Sequence, residues 1–126
     1  MTGAAELGLQ QVLDGRPLQG LELIEGAMTA ATAELWLPLL KKAVDHASHH
    51  GNGPNASPDE ALYRALKKAI ALAPTDWELL CLRGTILAGR SEFERALADF
   101  DQAIALAPRE AKPYRDRAYL HGRRGD

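Results

Sequence analysis

At 126 residues, 46% hydrophobic, 25% charged and only 6% aromatic, the chain is long enough for one packed core and too short for two independent ones. Ala and Leu dominate its periodic stretches, which favours close-packed helices over a β-sandwich. A formal net charge of −2, with the basic residues spread along the chain, gives no electrostatic footprint for nucleic acid, and the single cysteine, Cys81, excludes an intrachain disulfide framework or thiolate zinc site.

Residues Met1 to Gln10 lack the basic start and continuous apolar run of a signal peptide, and no stretch reaches the roughly twenty apolar residues of a membrane span. A cytoplasmic location and a single all-α domain over 1–126 are the resulting expectations. The first unit, 1–34, is irregular. Gly8, Val12 and Gly15 suit a helix and its turn, and Gly20, Ile24 and Ala27 suit a second helix. Gly8, Gly20, Ile24 and Ala27 stand 76 residues before Gly84, Ala96, Phe100 and Ala103.

The second unit, 35–75, opens on Trp36-Leu37-Pro38-Leu39-Leu40-Lys41-Lys42-Ala43, with Ala43 as its small residue. Its second helix is announced by Ser57-Pro58-Asp59-Glu60, a capping box with proline at the first helical position, and continues through Leu62, Leu66, Ala69 and Ile70. Between the two lies a polar, Gly/Pro-rich stretch over 49–57, expected to be a long surface loop. Loop entropy rises slowly with length, so such an insertion is tolerated, and contact with a partner is its functional alternative.

The third unit, 76–109, is the most regular. Thr75 is placed to cap a helix with Glu78 three residues on, Gly89-Arg90 ends it, and Ser91-Glu92-Phe93-Glu94 reads as a second capping box. Ala69-Ile70-Ala71-Leu72-Ala73-Pro74 recurs letter for letter as Ala103-Ile104-Ala105-Leu106-Ala107-Pro108, a period of 34 residues. A fixed period of this size means a supersecondary unit that must stack on its neighbours to bury its apolar face. Residues 110–122, from Lys112-Pro113-Tyr114 onward, form one more helix, a cap or the first half of a fourth repeat.

Leu80, Gly84, Leu87, Phe93, Ala96, Phe100, Ala103 and Pro108 resemble the spaced pattern of the tetratricopeptide repeat family. The resemblance implies antiparallel helical hairpins stacked as a right-handed solenoid, about three hairpins plus a C-terminal capping helix. It also implies a non-catalytic protein-interaction module, an adaptor or scaffold that takes a peptide or helix of a protein partner in a concave groove, without a cofactor. The first helices of the hairpins would line that groove, with Leu37, Leu40, Lys41 and Val44, then Glu78, Cys81, Leu82 and Thr85, then Lys112, Arg115 and Tyr119. Such a surface is apolar centrally and basic at its C-terminal end, which suits an apolar anchor with a nearby carboxylate. The carboxylate clamp of chaperone-binding members is not matched, because Leu82 and Asp116 stand where clamp groups would be wanted and the first helix offers Ala5 and Leu9.

Three other readings compete. The final helix lacks a hairpin mate, and its apolar side would let the chain self-associate as a homodimer. His46 and His50 stand one helical turn apart, the spacing of a metal-binding pair, against which His46 also falls at a packing position equivalent to Leu87. The carboxylates Asp99, Asp101, Glu92 and Glu94 invite a catalytic pair but read as solvated helix surface, Cys81 as a small packed hydrophobe, and Trp36 and Trp77 as packing between hairpins. No catalytic residue and no metal site is therefore expected.

Overall fold

The computed structural model describes residues 3–29, 33–50 and 59–125, and every element among them is an α-helix. In chain order these are α1 (Ala4–Leu13), α2 (Pro17–Ala27), α3 (Ala33–His50), α4 (Asp59–Leu72), α5 (Trp77–Gly89), α6 (Phe93–Leu106) and α7 (Ala111–Arg124). The chain divides into two compact units, 1–73 and 74–126. No helix among the described residues is long and apolar enough to cross a membrane.

In the first unit α1 and α2 form a hairpin whose backbones meet at two glycines. A Cβ on Gly8 would lie 2.5 Å from the carbonyl oxygen of Gly20, and a Cβ on Gly20 would in turn run into the carbonyl of Gly8, so neither position accepts a larger residue at this approach. The turn between them is closed by Gly15, at φ 89°, whose N–H donates to Val12 O at 3.1 Å while Arg16 N–H donates to Gln11 O at 2.8 Å. Those two bonds satisfy the last carbonyls of α1 around a left-handed residue, which glycine adopts without steric cost.

Helices α3 and α4 complete this unit, α3 packing on α1 and α2, and α4 on α2 and α3. On α3 the stripe Trp36, Leu40, Ala43 and Val44 is buried, and the indole of Trp36 donates to Thr29 O at 2.8 Å. On α4 the stripe Leu62, Ala65, Leu66 and Ala69 follows the i, i+3, i+4, i+7 spacing of an amphipathic helix, and all four residues are buried. Two cations of α4 hold it to α2. Arg64 Nε donates to Glu25 Oε2 at 3.0 Å and Lys68 Nζ to Glu25 O at 2.6 Å, the latter on a carbonyl in the last turn of α2. Helix α3 runs through His49 and His50, two residues into the expected loop. The rest of that loop, with Ser57 and Pro58 of the expected capping box, lies outside the described residues.

The second unit is the α5–α6 hairpin with α7 packed against both. Here Phe100 fills the space over Gly84, where a Cβ would lie 2.6 Å from the ring. Leu80, Leu87, Ala96 and Ala103 are buried around it, as the repeat pattern requires. Both expected caps differ from the structure. Asp76, not Thr75, caps α5, with Oδ1 accepting from Glu78 N–H at 3.1 Å and Leu79 N–H at 3.4 Å, because an extended residue immediately before the helix reaches the amides two and three positions on.

Ser91 is not an N-cap. It lies at φ 62°, its N–H donates to Ala88 O at 3.0 Å, and Glu92 N–H donates to Leu87 O at 2.9 Å. This is the turn seen at Gly15, with serine in the left-handed position and its backbone committed to finishing α5. Helix α6 accordingly starts from Glu92 with no side-chain cap. Helix α7 ends on left-handed Gly125, and His121, Arg123 and Arg124 in its last turn complement the helix dipole.

Candidate interaction surface

The eleven residues expected to line a groove separate into buried and accessible sets. On α3, Leu40 and Val44 are 0% and 1% exposed, which removes them from any binding surface. Both lie on the stripe with Trp36 and Ala43 that faces α1 and α2, so a middle helix covered on two sides leaves only its outer flank to solvent. Leu37 and Lys41 of that flank are half-buried.

Cys81 on α5 is likewise 0% exposed, a correction of its placement on the groove. Helix α7 lies across it, with Lys112 and Asp116 beside the thiol, and burial pushes its pKa up to about 12. Nearby Asp116 and Glu78 act in the same direction and Lys112 opposes them. Cys81 therefore stays a neutral thiol at physiological pH, packed as a small hydrophobe. The native state holds the proton more tightly than the unfolded chain, whose thiol titrates near 9.0, so stability is fully present below that pH and is lost as pH rises toward about 12. Urea melts at pH 8 and pH 10.5 should show a larger alkaline loss for the wild type than for Cys81→Ala. Equal losses would mean that the thiol is not held in this way.

The accessible remainder in the second unit falls on two helices that touch. On α5 these residues are Glu78 and Thr85, both exposed, and half-buried Leu82. Thr85 Oγ1 donates back to Cys81 O at 2.9 Å, which fixes its rotamer. On α7, Lys112 Nζ sits 2.8 Å from Asp116 Oδ2 one turn on, Arg115 is exposed, and Tyr119 is 69% exposed. Lys112, Arg115 and Tyr119 share one side of α7, while Pro113 and Leu120 are buried on another.

Among the carboxylates, Asp99 departs most from its reading as solvated surface. It is 6% exposed, and Arg83 grips it with two charge-assisted bonds, Nε to Oδ2 at 2.8 Å and Nη2 to Oδ1 at 2.7 Å. The pair joins α5 to α6. Its signal lay in the spacing, since Asp99 falls with Ala96, Phe100 and Ala103 on the buried stripe of α6. Asp101 pairs with Arg117 of α7 at 3.0 Å and Glu92 with Arg95 at 2.8 Å, and Glu94 is exposed. Trp36 is buried and Trp77 half-buried. His46, His49 and His50 lie in the last turns of α3, and their side chains fall outside the described residues. Among the described residues no three His, Cys, Asp or Glu side chains gather as metal ligands would.

No protein-family model matches the chain, and no curated protein matches it in sequence. Solved structures match its fold. An arginine-to-glutamate mutant of MamA superposes with a TM-score of 0.58 at 22% identity, over 97% of this chain and 83% of that one. An aspartate-to-lysine mutant of MamA gives a TM-score of 0.62 at 21% identity, over 97% of this chain and 66% of the other. MamA contains tetratricopeptide repeats, and at this identity the likeness shows the fold alone: the described residues form an all-helical, tetratricopeptide-repeat-like arrangement.

Proposed function

We propose that the protein is a non-catalytic interaction module that holds a peptide or helix of a protein partner against the α5–α7 face. The observation that carries this reading is Tyr119, an aromatic side chain 69% exposed on a helix whose neighbouring turns present Arg115 and Lys112. A large side chain with little rotamer entropy, flanked by cations on a rigid backbone, is the composition of an interface anchor. Glu78, Leu82 and Thr85 extend the face along α5, and Leu37 and Lys41 are the corresponding accessible positions of α3. The matching partner segment carries an apolar anchor beside a carboxylate.

The test is affinity capture with the wild-type chain and with Lys112→Glu/Arg115→Glu and Tyr119→Ala variants, all checked for native helicity. A partner that survives in the wild-type capture and is lost by about tenfold or more in both variants supports the face. A partner held equally by all three chains places binding elsewhere.

A further inference from the structure

One face of α3 is used neither by the core of the first unit nor by the surface proposed above. Turned away from the buried stripe of Trp36, Leu40, Ala43 and Val44 are Glu34, Leu35, Pro38 and Lys42, all exposed, with half-buried Leu39 at their edge. Leu35 is 70% exposed and stands at the mouth of an apolar hollow of about 160 Å³, which it lines together with Leu39, Ala4 and Ala5 of α1, and Ala27 of α2.

The face carries opposite charges at its two ends. Glu34 and Lys42 stand eight residues apart, about 12 Å along the helix axis. Neither makes a side-chain hydrogen bond or ion pair among the described residues, whereas Lys41 and Asp45 of the same helix are engaged within the chain. Pro38 has no N–H to give to the Glu34 carbonyl, so that oxygen, close to the carboxylate, lacks its helical donor.

We infer that this face of α3 is the contact surface of a homodimer, packed on the same face of a second copy with the two helices antiparallel. In a two-fold arrangement, positions equally far on either side of Leu37 meet, so Leu35 of each copy lies on Leu39 of the other. The small side chains of Ala4, Ala5 and Ala27 leave the hollow in which the incoming leucine is received. Lys42 of each copy then reaches the Glu34 carboxylate and carbonyl of the other, and both charge pairs form at once. A parallel pairing would instead set Glu34 against Glu34 and Lys42 against Lys42. The occupant is a second copy because the face is complementary to itself: the acid, the base and both leucines are accessible in one chain, and none has to leave its own fold. The homodimer expected through the final helix would use other residues. Leu37 lies on another side of α3, so the surface is independent of the face proposed above.

The test is sedimentation equilibrium of the full chain between about 5 and 500 µM. A single helix pair buries less than the roughly 1,200–2,000 Å² of a standard interface, so a weak dimer with a Kd of about 100 µM is expected. Leu35→Ser, at an exposed position, should weaken it about tenfold or more, and so should Glu34→Lys or Lys42→Glu alone. The doubly reversed chain Glu34→Lys/Lys42→Glu should regain wild-type dimerisation, and an equimolar mixture of the two single variants should form a heterodimer that neither forms by itself. Ala118→Arg, on exposed α7 surface, should leave the dimer unchanged. Far-ultraviolet circular dichroism checks that all variants keep their helices. A monomer throughout the range overturns the proposal, as does a dimer indifferent to Leu35→Ser or not restored by the double reversal. A dimer that Ala118→Arg dissociates overturns it too, since the final helix would then be the contact.

Discussion

Gly8→Ala should cost the first unit about 3 kcal/mol, the upper end of the range for overpacking a filled core. The added methyl meets a backbone carbonyl, Gly20 O at 2.5 Å, and the Ile24 side chain at 2.7 Å, so relief requires α1 and α2 to separate along their whole crossing. Gly84→Ala should cost less, about 1–2 kcal/mol, because the obstacle is the Phe100 ring at 2.6 Å and a ring can tilt where a carbonyl in a helix cannot. Gly26→Ala is the control. Its Cβ meets nothing within 4 Å, and alanine's higher helix propensity should raise stability by up to about 1 kcal/mol. Urea denaturation followed by circular dichroism measures all three. If Gly8→Ala melts with Gly26→Ala, the two backbones are not in the contact described.

The second large effect is expected at the buried ion pair. Arg83→Met should cost about 3 kcal/mol, since it strands a carboxylate that is only 8% exposed with its two strongest donors gone. Asp99→Leu should cost less, because the Arg83 side chain is 22% exposed and can turn its charge toward water. The double variant Arg83→Met/Asp99→Leu should recover most of the loss, since a well-packed apolar pair replaces an ion pair at little net cost. The coupling read from the double-mutant cycle is the decisive quantity. A cost below about 1 kcal/mol for Arg83→Met would mean that water reaches Asp99 and the pair behaves as a surface bridge.

The α5–α6 hairpin was legible from sequence because its packing depends on residue size at helical spacing. Leu80, Gly84, Leu87, Ala96, Phe100 and Ala103 all lie where that spacing puts them, buried between the two helices. The α1–α2 hairpin was legible only through the 76-residue offset, since Ile24 stands in the place of Phe100 and Gly20 in that of Ala96, and the two backbones meet directly at Gly8 and Gly20. Capping was less legible. Thr75 and Asp76 are both good caps, and the backbone angle of the entering chain decides between them. Ser91 carries the residue type of a helix start, yet the same residue must close α5 in a left-handed conformation, and it cannot do both.

The surface was harder to read because burial depends on how many neighbours a helix has. Leu40, Val44 and Cys81 sit one position around the helix from accessible residues, and a face drawn from a single period cannot tell a flank from a seam. Asp99 was misread for the complementary reason: its charge suggested water, whereas its place beside Phe100 and its partner sixteen residues earlier decided otherwise.

Cys81 gives the protein a built-in gauge of its own opening. Because the thiol is fully covered where α7 crosses α5, an alkylating reagent can reach it only in the moments when that crossing parts. The ratio of its labelling rate to that of an unstructured cysteine then reads the opening equilibrium at one seam, without unfolding the chain. A ligand that clasps both helices would slow that clock in proportion to its occupancy.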